Sequence, residues 1–381
     1  MKFSLLCKRY YTNKDLLKDR FGRLYHLPVQ LGARGHEGYV LAVDYRSNES
    51  AALREENVAF HSLPFRPHRP IAALRGVYRR LGEFRPDIVI ASGDTHLGFL
   101  GLVLARRLGV PFAFDVYDDY TAFASGRIPG MKWLFYQVVR RADLVICANP
   151  ILCARLSSFN RAACVIENGV DPDLFHPLEK SLARSALGLP DDETVIGFFG
   201  SIAPNRGVDT LIDAGRCLRR EIPNLRILLA GHDSAKLDLT GAGIDYRGDL
   251  PQEQVPRLIG ACDVVVIPYH EDRQVAVSNA CKIAEYLACG VPIVATRVSN
   301  HADILARAPQ GLCRPGDPDD LARAIRLQLH APQRVDFTEQ LSWRNLAERL
   351  DQGLRALCAG SPPSEHGRNS DGARGIDQPN V

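Results

Sequence analysis

Short apolar runs alternate with helix-length amphipathic segments along most of this chain. In the first half, Lys2–Cys7, Tyr39–Val43, Asp87–Ala91, Phe112–Val116 and Leu144–Cys147 read as strands, with a weaker one at Cys164–Glu167. Between them, Ile71–Phe84, Leu97–Leu108 and Met131–Arg141 carry helical spacing. Strands alternating with helices need crossover connections, and crossovers build parallel sheets. Runs as continuous as DIVIA (Asp87–Ala91) fit strands covered on both faces.

The rhythm breaks at Asn168–Asp192, a stretch rich in Pro, Asp and Gly that predicts turns and one short helix. A second series follows. Its strands are Thr194–Phe199, Leu225–Ala230, Ile244–Arg247, Val264–Pro268 and Pro292–Ala295, and its helices lie near Val208–Arg220, Glu253–Cys262, Lys282–Cys289 and Asp319–Leu329. The pattern predicts an α/β protein of two doubly wound, Rossmann-like domains facing each other across a cleft. Residues 1–170 form the first domain, 171–192 a linker and 193–340 the second domain. Residues 341–359 form a last amphipathic helix, and the polar, Pro- and Gly-rich 360–381 a disordered tail. In such sheets, ligands sit at the carboxyl ends of strands, against helix N-termini.

Composition adds bounds. With 381 residues, 46% of them hydrophobic and 24% charged, the chain has room for two globular cores. Lys+Arg 47 against Asp+Glu 44 leaves +3, too balanced to argue for a nucleic-acid partner. No two of the ten cysteines have C-x-x-C spacing, so neither a zinc site nor a redox motif is expected. Several fall in apolar runs, which points to a reduced, cytoplasmic protein. The apolar part of MKFSLLCKRYY is too short for a signal peptide, and no run approaches the length of a membrane span. Two basic segments with interspersed aromatics, Phe65–Pro86 and Gly126–Arg141 (with Trp133, Phe135 and Tyr136), have two readings. One is peripheral contact with anionic lipid at the inner face of a membrane. The other is an aromatic stripe facing the core beneath a solvated basic face.

Candidate chemistry concentrates in the second half. In Gly197–Leu218 a buried strand ends at Gly200, a Gly-, Pro- and Asn-bearing turn follows, and a helix opens near Gly207–Val208. Glycine lets a ligand approach the backbone, the helix N-terminus offers free N–H groups, and Arg206 can fork onto phosphate oxygens. The simplest ligand is a diphosphate. Neither a G-x-G-x-x-G fingerprint nor a P-loop is present, and the first turn, CKRYYTNKD, holds no glycine. In Ser278–Asn300, Lys282 and Glu285 share a helix face. Lys282 can neutralise a phosphate while Glu285 accepts two ribose hydroxyls; the alternative is an ordinary surface ion pair.

These segments carry a resemblance. ENGVD (Glu167–Asp171), GFFGSIAPNRGVDTLIDA (Gly197–Ala214), LLAGHD (Leu228–Asp233) and KIAEYLACGVPIVAT (Lys282–Thr296) are similar to the retaining glycosyltransferases of family 4. These are two-domain GT-B enzymes that use nucleotide-sugar donors. QLGARGHEGYVLAVDY (Gln30–Tyr45) and Pro86–Asp119 extend the likeness through the first half. The resemblance implies that Gly200 and Ser201 lie beside the donor diphosphate, that Arg206 and Lys282 pair with it, and that Glu285 binds the nucleotide ribose. Ser278 and Asn279 would offer backbone N–H groups at the same helix start, and Asp118 would face a sugar. UDP, the commonest donor nucleotide in the family, is the expected one, with a glycan or lipid-linked acceptor. The departing diphosphate would help remove the acceptor proton, so that cations replace any need for a metal.

Three positions depart from the family pattern. Val277 stands where the first of two paired glutamates is expected, with Glu271 and Asp272 nearby but out of register; Ser201 replaces a common arginine; and Tyr117 replaces a histidine before Asp118. His96 is expected to face the cleft or to serve as a polar helix start, and His36 to be structural. The rival functions are a nucleotide-sugar epimerase, a non-catalytic nucleotide-sugar-binding protein and, behind these, a hydride-transfer enzyme.

Overall fold

The computed structural model describes residues 1–360 apart from Thr12, Asn48 and 66–69, with the side chains of 70–74 and 125 also left aside. The predicted tail therefore lies outside the described residues, as does part of the basic segment Phe65–Pro86.

The apolar runs pair side by side. The first sheet has eight strands, in the order Ala163–Val165, Leu144–Cys147, Phe112–Val116, Ile88–Ser92, Lys2–Lys8, Glu37–Asp44, Val58–Pro64 and Ala52–Glu55. All pair in parallel except the last two, which form an antiparallel hairpin. The second sheet runs Ile244–Tyr246, Leu225–Ala230, Thr194–Phe199, Val264–Ile267, Ile293–Thr296 and Leu312–Cys313, all parallel. Strand order reverses beside Lys2–Lys8 in one sheet and beside Thr194–Phe199 in the other. The splayed loops at such reversals leave a crevice outside the carboxyl ends.

Several elements were not legible as runs. Val58–Pro64 alternates buried with half-buried positions, and its partner Ala52–Glu55 is a partly exposed edge carrying Arg54 and Glu55, so neither shows a continuous apolar stretch. The helix Arg23–Ala33 contains Pro28, which disguised its spacing. The helix Pro150–Ser157 is short; Asn149 caps it by accepting from the Ile151 and Leu152 amides, with Pro150 at the first position.

The C-terminal helix Trp343–Cys358 crosses back onto the first domain. Trp343, Leu346, Leu350 and Leu354 join the same apolar cluster as Leu24, Leu27 and Leu31 of Arg23–Ala33. The Trp343 ring stacks on His26 at 5.2 Å. Asp351 accepts from His36 (2.7 Å), Arg34 (3.2 Å) and Arg355 (2.8 Å), so His36 is structural. Burial alone would raise the Asp351 carboxyl, but these three donors bring it below its usual value.

A second buried chain of polar groups links the domains. Arg23, fully enclosed, forks onto Asp115 (2.7 and 3.1 Å) and donates to Asn168 Oδ1 (3.1 Å). Asn168 in turn donates its backbone N–H to Asn279 Oδ1 (3.1 Å) and its side-chain amide to the Asn279 carbonyl (2.8 Å). An arginine bonded on all sides fixes the segment Ile166–Asn168, just before the linker, because breaking any contact would strand a buried charge.

All ten cysteines are free thiols. Among the described residues no helix is long and apolar enough to cross a membrane. The aromatic stripe of Met131–Arg141 divides: Phe135 lies in the core and Tyr136 packs on Phe159 at 4.5 Å, while Trp133 is 65% exposed. Helical spacing places these rings on different faces, so the expected trio does not form one surface.

Candidate active site

The strand Thr194–Phe199 delivers the chain to Gly200, whose φ of 124° is a conformation that favours glycine. A Cβ there would stand 2.9 Å from Lys282 Nζ. The neighbouring turn packs equally closely, since a Cβ on Gly231 would lie 2.1 Å from the Gly200 carbonyl oxygen. Beyond the exposed Ser201, the turn Pro204–Arg206 leads into Gly207 and the helix Val208–Leu218. That helix and Cys281–Ala288, which carries Lys282, both begin without a side-chain cap. Of the two, the start of Cys281–Ala288 lines the cleft, where its first N–H groups and positive dipole end remain available.

Arg206 and Lys282 converge on one ring. The Arg206 guanidinium lies 4.5 Å from the Tyr269 centroid and the Lys282 ammonium 5.3 Å from it. The ammonium is also 3.8 Å from the Phe198 centroid, and Lys282 is only 9% exposed. Among the described residues neither cation forms an ion pair. Burial pushes the Lys282 ammonium below the usual lysine range, and Arg206 adds to the shift against Tyr269 and Glu285. Burial alone would raise the Tyr269 phenol; Lys282 and Arg206 bring it below its ordinary value. Two like charges brought to one aromatic ring, with no ion pair among the described residues, form a receptor for an anion.

Glu285 lies one turn past Lys282 and lines the same cleft of 690 Å³. Burial pushes its carboxyl up to about 7 against the pull of Lys282. The surface ion pair is therefore excluded: Lys282 is buried, and the two side chains do not pair. Asp118 enters from the opposite domain. Burial pushes its carboxyl up to about 6, against the pull of the Asp119 amide and the Arg206 guanidinium. Asp119 is structural, bonded to Thr121 and Arg155.

Gly200, Ser201, Arg206, Ser278, Asn279, Lys282, Glu285 and Asp118 all line this one cleft. One expectation changes. The Ser278 N–H is not free, because it donates to the Val275 carbonyl (3.0 Å) in closing the turn Val275–Val277. Asn279 is tied through its side chain and carbonyl to Asn168. Of the two readings for His96 the structure has the polar helix start: it lies in the first turn of the helix Thr95–Leu108 with its ring 3.1 Å from the Tyr45 hydroxyl, and Asp94 lines the cleft in its place. Val277 packs into an apolar cluster of the first domain with Val116 and Tyr120, whereas Glu271 and Asp272 are exposed and off the cleft. Gln274 reaches the cleft in that stretch. Sequence reasoning missed Tyr269 and Phe198. The signal for Tyr269 was its place just past the strand Val264–Ile267, beside the reversal of strand order.

Comparisons with known proteins match this geometry. The model described as "Glycosyltransferase Family 4" matches residues 23–174, and that described as "Glycosyl transferases group 1" matches residues 193–330, each over one domain and in chain order. The chain belongs to the family 4, group 1 glycosyltransferases. Its fold is GT-B: the chain superposes on the crystal structure of Anabaena HepE in complex with UDP with a TM-score of 0.72 at 17% identity, over 94% of this chain and 100% of that one. A D-inositol 3-phosphate glycosyltransferase of Segniliparus rotundus is 26% identical over 69% of this chain and 65% of its own length. A GDP-mannose-dependent alpha-mannosyltransferase of Mycobacterium tuberculosis is 28% identical over 81% of this chain and 83% of its own. The chain spans less than two thirds of the length of the first of these relatives.

The Tyr269 ring holds both cations, at 4.5 and 5.3 Å from its centroid. Replacing it with leucine should weaken inorganic pyrophosphate binding about tenfold, since a desolvated cation–π contact contributes roughly 1–2 kcal/mol. Tyr269→Phe should bind nearly as well as the parent. Isothermal titration of both variants checks this.

Proposed function

We propose that the chain transfers a hexosyl group from a nucleoside diphosphate sugar to a hydroxyl of a glycan or lipid-linked saccharide, with retention of anomeric configuration. The observation that carries this reading is the convergence of two unpaired cations, Arg206 and Lys282, on the hollow above Gly200. The donor diphosphate occupies that hollow against the Gly200–Ser201 loop. Glu285 as carboxylate accepts the two ribose hydroxyls, with Gln252, Leu250 and Val255, which also line the cleft, left for the base. The donor sugar then extends toward Gln274 and Asp118.

The acceptor oxygen forms its bond to the anomeric carbon on the face from which the diphosphate departs. The carbon–oxygen bond to the diphosphate breaks, and the acceptor proton passes to a diphosphate oxygen, releasing nucleoside diphosphate. The protein's main contribution is to stabilise the charge that develops on the leaving group. A preorganised group of this kind contributes about 10²–10³ in rate. No metal is required in this scheme. UDP is the favoured base, in keeping with the ligand of the Anabaena structure, although the mycobacterial relative is named for GDP-mannose.

Thermal-shift measurements with UDP and GDP select the base. A ligand at 100 times its dissociation constant should stabilise the fold by about 2.7 kcal/mol. With the matching α-linked donor, NMR of the product should show an α-glycoside. A β-glycoside would overturn retention. Conversion of donor to an epimer without acceptor would favour an epimerase, and donor binding with no turnover a binding protein.

A further inference from the structure

Three consecutive residues of the second domain are held by the first. Val277 packs with Val116 and Tyr120. The Ser278 carbonyl accepts from the Asn149 side-chain amide at 3.0 Å, and the Asn279 carbonyl accepts from the Asn168 side-chain amide at 2.8 Å. The helix that carries Lys282 starts two residues later, at Cys281, with no side-chain cap of its own. Its second turn is tied to its own sheet, since the Tyr286 hydroxyl accepts from the Phe199 N–H at 2.9 Å. The start of this helix therefore takes its position from the other domain.

Asn149 divides its side chain between two tasks. Its Oδ1 caps the helix Pro150–Ser157, accepting from the Ile151 and Leu152 amides at 2.8 and 3.4 Å. Its Nδ2 crosses to the second domain, where it donates to the Ser278 carbonyl and to Ser299 Oγ at 2.9 Å, with Asn300 Oδ1 at 3.4 Å. The Ser299 hydroxyl in turn donates to the same Ser278 carbonyl at 2.7 Å. Ser299 holds φ at 52°, a left-handed conformation that a serine keeps only where surrounding contacts fix it. Asn149 is fully buried and does not line the cleft. A cap needs only an oxygen, which serine, threonine or aspartate supply as well. The Nδ2 group is what asparagine adds, and its bonds all go to the other domain.

We propose that Asn149 is a positioning residue for the donor chemistry: by gripping the Ser278 carbonyl from the first domain, it sets the start of the helix Cys281–Ala288 and with it the Lys282 ammonium. The Phe198 and Tyr269 rings brace the head of Lys282, and Asn149 places the backbone from which that head reaches them. The pair of cations is complete only while the two domains are engaged at this point. The inference rests on the reading of Arg206 and Lys282 as the diphosphate receptor and adds what holds one of them in place.

The test uses the full chain and two probes that need no turnover. Inorganic pyrophosphate, followed by isothermal titration, reads the cations. Uridine or guanosine, whichever the parent binds more tightly, reads the rest of the donor pocket by saturation-transfer difference NMR. Asn149→Ser keeps the helix cap and removes Nδ2. It should weaken pyrophosphate binding about tenfold, because charge recognition falls steeply with displacements of about an ångström. Nucleoside affinity should change less than about twofold, since Glu285 adjoins the Tyr286 anchor. Ser299→Ala, made in the second domain with the cap untouched, should shift pyrophosphate in the same direction. Melting curves establish that the variants are folded, and if Asn149→Ser is not, Ser299→Ala alone decides. Unchanged pyrophosphate affinity in the folded variants would overturn the proposal. So would a pyrophosphate loss no larger than the nucleoside loss, which marks a general loosening of the domain interface. Both outcomes leave the donor site itself standing. A parent chain that binds neither pyrophosphate nor a nucleoside would sink the donor reading, and this inference with it.

Discussion

Lys282→Met lowers transfer from the nucleotide-sugar donor by about a hundredfold to a thousandfold, the range for removing one preorganised group at a developing charge. Methionine fills the space between Phe198 and Tyr269 without a charge, so the loss comes from chemistry and not from collapse of the site. The same substitution raises the melting temperature of the ligand-free protein. The ammonium is buried at 9% exposure beside Arg206 with no counter-ion, an arrangement that costs folding free energy and is relieved only by a bound anion. Opposite signs for activity and stability distinguish a group held for function from one held for structure. Rate measurements at saturating donor, together with melting curves with and without UDP, check both halves. The stabilising effect of UDP should shrink in the variant.

Gly207→Ala costs about 2–5 kcal/mol of stability and abolishes nucleotide binding in what remains folded. Gly207 has φ 67°, and a Cβ at this position would stand 1.8 Å from the Pro268 carbonyl oxygen and 2.7 Å from its carbon. The obstruction is main chain and cannot rotate away. To accommodate a methyl group, the turn Pro204–Arg206 must separate from the end of the strand Val264–Ile267. That movement pulls Arg206 away from Tyr269, which follows Pro268 directly. Gly188→Ala serves as the control, because Gly188 has nearly the same φ, 69°, with nothing within 4 Å of the added atom. It should cost only about 1 kcal/mol. Urea unfolding of the two variants separates backbone strain from the close approach, and UDP titration reports whether the site survives.

The contrast between these two glycines marks how far the chain's own text reaches. Gly188 and Gly207 look alike in sequence, each at a helix end in a turn-rich stretch. Only the fold puts a carbonyl against one of them. Lys282 and Glu285 present the same limit. Their spacing on one helix face was legible, and the flanking motif pointed to a nucleotide. Whether they formed a surface pair or faced a hollow depended on Phe198 and Tyr269, residues that local patterns had not singled out. Val277 goes further still. Read as a missing glutamate, it marked a departure from the family pattern, yet it fills an apolar cluster of the other domain with Val116 and Tyr120.

The alternation of apolar runs with helical segments determined by itself that this protein would be two parallel α/β sheets in series, because strand burial and helix amphipathicity are written at spacings of two to four residues. The glycine turn with Arg206, and the Lys282–Glu285 pair, were likewise local and so could be found as motifs. Only the tertiary structure decided that the Trp343–Cys358 helix returns to the first domain, that Arg23 ties Asp115 to Asn168 ahead of the linker, and that five aromatic rings line the cleft with the cations. Those arrangements join residues up to several hundred positions apart. Their free energy comes from burial and pairing between segments that share no periodicity, and so it leaves no mark on the sequence around either partner.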